Sequence, residues 1–136
     1  MKEVDVVAAI ICRGSKIFVS QRGYGDFKDM WEFPGGKIES GETPEDALVR
    51  EICEELSVTI SVDEWIGNVE YDYPLFHLKM SCFLCSIVSG EVKLNEHEGA
   101  KWIALSEINE VSWLPADALF IEENNAKLAE KIAVRN

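Results

Sequence analysis

The stretch Arg50-Glu51-Ile52-Cys53-Glu54-Glu55 places three carboxylates and one guanidinium within six residues. The segment before it, GETPEDALV, reads as the start of a helix. Thr43 is a good N-cap, Pro44 suits the first helical position, and Glu45 and Asp46 sit where the positive end of the helix dipole favours acids. At about 100° per residue, Leu48, Val49, Ile52, Cys53 and Leu56 fall in an apolar arc of about 140°, with Glu51, Glu54 and Glu55 in an arc of roughly 100° on the other side. Like charges three and four apart repel by roughly a few tenths of a kcal/mol, and Arg50 is the only cation between Glu42 and Glu55. One reading is a solvated acidic face. The other is a set of oxygen ligands for a hard divalent cation, the arrangement in which Mg²⁺ is held by a few carboxylates and the phosphates of a substrate. Helix physics alone leaves both open.

The elements that must position these residues belong to a chain of 136 residues, a length that suits a single domain over 1–136 with a real core. Hydrophobic residues at 47% and charged residues at 28% are globular values. The net charge of -12 argues against a nucleic-acid or anionic-membrane surface, which needs a basic patch. A small polyanion remains admissible, because a bound metal ion inverts the local field. The longest apolar run, VVAAIIC, is too short to span a bilayer and lacks a basic leader and a cleavage site. Cys82 and Cys85 have a Cys-x-x-Cys spacing, but in a strand such positions point to opposite faces. Cys12, Cys53, Cys82 and Cys85 are therefore expected to be buried thiols rather than zinc ligands, in a reduced, cytoplasmic protein that is a monomer or weak homodimer.

VDVVAAIICRGSKIFVSQR reads as a hairpin around Arg13-Gly14-Ser15. A loop, GYGDFKDM, leads to the short strand WEF, stopped by Pro34 and the pair Gly35-Gly36. After the acidic helix, WIGNVEYDY sets Val69, Tyr71 and Tyr73 against Asn68, Glu70 and Asp72, and Pro74 marks a turn. LFHLKMSCFLCSIV carries Phe76, Leu78, Met80, Cys82 and Leu84 on one face of a long strand, and GAKWIAL is a further strand. A helix is expected from about Asp117 to Ala133. The fold class is α+β, with a mixed β-sheet covered by two helices.

From Gly36 the sequence runs five residues to Glu42, seven more to Arg50, then Glu51-Ile52-Cys53-Glu54-Glu55-Leu56-Ser57-Val58. This resembles the Nudix box, Gly-x5-Glu-x7-Arg-Glu-U-x-Glu-Glu-x-Gly-U with U a bulky aliphatic. Every defined position matches except the last Gly, which is Ser57 here. A Gly there would serve as a left-handed helix cap, and Ser should cost on the order of 1 kcal/mol at the helix end. WEFPGGKIESGETPE is similar to the MutT-type 8-oxo-dGTP diphosphatases of the family, and VVAAII, EHEGAKW and LPAD to its bacterial CTP pyrophosphohydrolases.

The resemblance implies a Nudix α/β/α sandwich and a site built on the box. It implies that Glu51, Glu54 and Glu55 bind Mg²⁺ or Mn²⁺ together with the Gly36 carbonyl, that Arg50 orients a box glutamate, and that Glu42 supports it. Glu96, six residues before Trp102, matches an additional metal-binding acid and is preferred to Glu98. Glu51 is the implied general base, with Glu96 or Glu54 as alternatives. Lys37 and Arg22 are candidate contacts to phosphate, Arg22 also to the base, and Phe33, Tyr71 and Phe76 are candidates for an aromatic slot. Asp117 sits where MutT-like enzymes carry an Asn that reads the base, or else caps the last helix. As an ionised acceptor it would favour cytosine or 8-oxoguanine over uracil and thymine. His97 lies beside Glu96 near the site, and His77 reads as a strand-face residue. The implied reaction is NTP + H₂O → NMP + pyrophosphate. The alternatives are a Nudix hydrolase of another diphosphate, such as ADP-ribose or a dinucleoside polyphosphate, or a non-catalytic Nudix ligand sensor.

Overall fold

The structure, a computed structural model, describes residues 1–134. Its elements in order are β1 (Lys2–Arg13), β2 (Lys16–Arg22), β3 (Trp31–Glu32), β4 (Gly35–Lys37), α1 (Pro44–Leu56), β5 (Thr59–Tyr73), β6 (Phe76–Ser89), β7 (His97–Ala104), a 3₁₀ turn (Leu105–Glu110) and α2 (Pro115–Val134). The sheet is mixed. Its main path runs β3-β2-β1-β6-β5, with β4 paired to β1 and β7 to β2. Among the strand pairs of the described residues, only β1 and β6 run parallel, in register from Lys2 opposite Phe76 to Ile11 opposite Cys85.

The central strand explains the sandwich. In β1, Ala8, Ile10 and Cys12 enter the core that includes Phe120, Leu128 and Ile132 of α2, whereas Val7, Ala9 and Ile11 enter the core that includes Leu48, Ile52 and Leu56 of α1. A strand covered on both faces reads as a continuous apolar run, which is what VVAAIIC is. The same alternation separates Cys82 and Cys85, which lie in the two different cores. Among the described residues no helix is long and apolar enough to cross a membrane.

Four expectations need correction. Cys53 is exposed, while Cys12, Cys82 and Cys85 are buried. Glu55 is buried, at 6% exposure, although the sequence reading groups it with the outward acids. Both follow from rotation: Glu55 lies about 20° from Leu48 around the helix, whereas Cys53 lies about 140° from it. Next, α2 begins at Pro115, so Asp117 stands in its first turn and is not its N-cap. Finally, β5 starts at Thr59, six residues before Trp65. Its polar first half is hidden from a period-two reading by irregularities between Val62 and Glu64 and between Trp65 and Gly67. The strand β4 was also unforeseen, since Gly-Gly-Lys has no strand composition. It forms because Gly35 lies against β1 so closely that a Cβ would strike the Val7 carbonyl.

Candidate active site

The helix that carries the acids is fixed at both ends. The Thr43 hydroxyl accepts from the Asp46 amide at 3.1 Å, and Pro44 takes the first turn. Ser57 ends the helix in the left-handed region at φ 59°, ψ 32°. Arg50 is the hub of the exposed side. Its Nε and Nη2 donate to the two oxygens of Glu42 at 2.7 and 2.9 Å, and Nη2 also reaches the Lys37 carbonyl at 3.1 Å. Nη1 then donates to Glu51 at 3.0 Å and to Glu54 at 3.4 Å. The Arg50 bond pulls Glu42 down to about 2, so this pair stays charged. Gly36, on β4, faces Glu51 so closely that a side chain there would fall on its carboxylate.

Glu51, Glu55 and Glu96 line one open cavity of about 600 Å³ with Gly36, Lys37 and His97. Burial raises the Glu51 pKa against the opposing pull of Arg50, and Glu54 and Glu96 raise it further. Glu55 is pushed up to about 9, first by burial and then by the charges of Glu51, Glu96 and Glu32. Its Oε2 is buried and unpartnered. A buried carboxylate ringed by other carboxylates, with one oxygen unsatisfied, has the chemistry of a ligand for a hard divalent cation. Among the described residues no three such groups are already close enough to hold an ion by themselves. Glu54 is the most exposed of the three box acids, with 59% of its side chain open. Glu98 points elsewhere, to Lys28 at 3.3 Å.

A second cavity, of about 140 Å³, lies beside the first, lined by Phe27, Phe33, Tyr73, Phe76, Met80 and Asp117. Asp117 is buried, and its Oδ2 accepts the Phe33 amide at 2.9 Å. Burial, with the charge of Glu32, pushes its pKa up to about 8. The ionised, acceptor-only Asp117 of the sequence reading is therefore corrected: near neutral pH the acid is largely protonated and offers a donor as well. Tyr71 does not line the cavity and packs against Tyr73 with ring centroids 4.8 Å apart. Tyr73 takes the inner place, and its hydroxyl accepts the Ala116 amide at 3.1 Å.

Arg22 and Glu32 join the two cavities and line both. Arg22 donates from Nη2 and Nε to the two Glu32 oxygens at 2.8 and 3.3 Å. Burial works against ionisation of Glu32, but hydrogen bonds from His97 and Arg22 outweigh it and lower its pKa. His97, its side chain buried at the start of β7 opposite Arg22, has Nε2 3.3 Å from Glu32 and 3.8 Å from Glu55. His77 lies away from this network, between Glu70 at 2.7 Å and Asp72 at 2.6 Å. Sequence reasoning passed over Glu32, Tyr73 and Phe27. The first two carried a signal: Glu32 sits in a short strand between two aromatics, and Tyr73 continues the inward face of Val69.

Comparison with known proteins follows the same lines. Residues 2–132 match the family model described as the NUDIX domain. The CTP pyrophosphohydrolase of Escherichia coli (strain K12) is 33% identical over 123 residues, which is 90% of this chain and 91% of that protein. The 8-oxo-dGTP diphosphatase of Proteus vulgaris is 35% identical over 101 residues, covering 73% and 88%. The solution structure of the E. coli ORF135 protein superposes with a TM-score of 0.81 at 31% identity, covering 95% of this chain and 92% of that one.

Proposed function

This chain belongs to the NUDIX family and is a hydrolase of that family; we propose that it cleaves a nucleoside triphosphate to the monophosphate and pyrophosphate, using Mg²⁺ or Mn²⁺. The base we assign is cytosine (CTP, dCTP) or an oxidised purine (8-oxo-dGTP), the classes named by the two relatives reported above. One observation carries the reading: an aromatic cavity ending in a buried acid shares a wall, which includes Arg22, Glu32, Gly35 and Gly36, with a cavity ringed by carboxylates. A nucleotide has the same division, an apolar base at one end and a polyanion at the other.

In this reading the base enters between Phe33, Phe76 and Tyr73, and the Asp117 oxygen not engaged by Phe33 meets its polar edge. Arg22, held by Glu32, meets the phosphate nearest the sugar. Lys37 stands at the rim of the carboxylate cavity on the path of the outer phosphates. Glu51, Glu54, Glu55 and Glu96, with the Gly36 carbonyl, would hold the cation. Bound there, a divalent cation supplies charge neutralisation on the phosphates and an acidified water. Glu51 accepts the proton of the attacking water, its raised pKa bringing it closer to the working pH of a general base. Arg50, pinned by Glu42, keeps Glu51 oriented for that transfer.

The test is a pyrophosphate-release screen over CTP, dCTP, 8-oxo-dGTP, UTP, ADP-ribose and a dinucleoside polyphosphate, with Mg²⁺ and with EDTA. We expect pyrophosphate from CTP-type nucleotides or 8-oxo-dGTP, no turnover in EDTA, and a loss of at least about 100-fold in kcat for Glu54→Gln. Orthophosphate as the first product, full activity in EDTA, or turnover confined to ADP-ribose or the dinucleoside polyphosphate would contradict the assignment.

A further inference from the structure

The last turn of α1 contains no basic residue, so its exposed carbonyls need other partners. They find them in the segment that leads into β7. The Asn95 side-chain amide donates to the Glu54 carbonyl at 2.8 Å, the Asn95 main-chain amide to the Glu55 carbonyl at 3.0 Å, and the Lys93 amide to the Leu56 carbonyl at 2.8 Å. The second hydrogen of the Asn95 amide group reaches the Ser57 hydroxyl at 3.0 Å. Ser57 is the one position where the box departs from the Nudix pattern. A glycine would adopt the same left-handed conformation with less strain but would remove the hydroxyl that the Asn95 side chain bonds.

The residue that follows Asn95 is Glu96, which faces Glu51 and Glu55 across the carboxylate cavity. We infer that Asn95 is the positioning residue for Glu96: through the Ser57 hydroxyl and the carbonyls of Glu54 and Glu55 it ties the Glu96 loop to the helix that carries the other carboxylates. The inference rests on the proposed role of these acids as cation ligands. Its physical content is preorganisation. A carboxylate on a free loop would be driven away by the charge of Glu51 before any cation arrives. Four hydrogen bonds to the end of the opposing helix hold that loop in place against the repulsion.

The test uses the full chain without nucleotide and measures Mn²⁺ binding by water-proton relaxation, with the thermal midpoint in EDTA as a separate measure of the fold. Asn95→Ala should weaken Mn²⁺ binding about tenfold, the scale on which partners of metal ligands act. In the Glu96→Gln background it should cause no further loss, because its effect runs through Glu96. Ser57→Gly should leave the EDTA midpoint unchanged or higher while still weakening Mn²⁺ binding, and it carries the test if Asn95→Ala does not fold. Wild-type Mn²⁺ affinity in both Asn95→Ala and Ser57→Gly, with Glu96→Gln weakened, overturns the inference alone. So does a double variant in which the losses of Asn95→Ala and Glu96→Gln add. Absence of Mn²⁺ binding in the wild-type chain, or wild-type affinity in Glu96→Gln, removes the assignment of the acids beneath it as well.

Discussion

Asp117 reaches the aromatic cavity as an acid whose protonation is set by its surroundings. It is buried, it lies near the charge of Glu32, and its pKa stands at about 8 instead of the ordinary 3.8. Below that value the carboxyl carries a hydrogen and can donate to a ring carbonyl. Above it, the group only accepts. Cytosine keeps an amine at the corresponding edge and pairs with the ionised form, whereas uracil sets a carbonyl against a carboxylate with no hydrogen between them. An unpaired buried acceptor costs about 1–3 kcal/mol, roughly ten- to a hundredfold in kcat/KM. The ratio of kcat/KM for CTP to that for UTP should therefore be small near pH 6.5 and rise about tenfold or more as pH passes 8. Asp117→Asn, which offers donor and acceptor at every pH, should give a ratio that does not change with pH. A wild-type ratio that is flat from pH 6 to 9 would remove Asp117 from base selection. The same residue shows where sequence stops: LPAD gave the position, but only the packed structure gives the charge.

At the scale of elements, β4 decides where the box meets the rest of the fold. Gly35 and Gly36 are adjacent and do different work. A Cβ at Gly35 would meet the Val7 carbonyl and the Ala8 Cα of β1, backbone that cannot yield. One at Gly36 would first meet the carboxylate of Glu51, the end of a side chain that can swing away. Gly35→Ala should therefore cost about 2–4 kcal/mol of stability, read as a lower denaturation midpoint. Gly36→Ala should stay folded within about 1 kcal/mol of wild type but displace Glu51 from Arg50 and lose about 100-fold or more in kcat. Equal effects of the two substitutions on stability would contradict this division. Much of the element structure was legible: the hairpin of β1 and β2, the capped start of α1 and the long strand β6 all announce themselves through periodicity and turn residues. What was not legible depends on neighbours far away in sequence. Gly-Gly-Lys becomes a strand only because β1 is there to receive it, and Glu55 goes inward because Leu48 beside it must be covered. Tyr73 rather than Tyr71 lines the aromatic cavity because the turn at Pro74 brings it beside Phe76, with the two rings stacked 5.1 Å apart.

Over the whole molecule the net charge of -12 adds to the local repulsion of the site, so the metal-free protein is electrostatically strained. Glu55 concentrates the effect. Its pKa is about 9 in the fold against an ordinary 4.5, and Asp117 is displaced in the same direction. Both groups bind more protons folded than unfolded over this interval, so their stabilising contribution is complete at low pH and is lost as pH rises towards 8 and 9. The thermal midpoint in EDTA should accordingly fall between pH 6 and pH 9, and raising the salt concentration should recover part of the loss by screening the exposed acids. Saturating Mg²⁺ should flatten the decline, since a ligand that binds only the folded state stabilises it by mass action. Glu55→Gln is neutral both folded and unfolded, so it escapes the cost of taking up a proton on folding that Glu55 bears at pH 8. At pH 8 in EDTA it should raise stability by about 1 kcal/mol or more, roughly 4 °C in the midpoint, while nearly abolishing the Mg²⁺-dependent shift. The measurement is a set of melting curves for wild type and Glu55→Gln at pH 6, 7, 8 and 9, with EDTA and with Mg²⁺. A variant less stable than wild type in EDTA at pH 8 would mean that Glu55 is satisfied without a cation. The carboxylate cavity would then be a structural network rather than a site held ready for one.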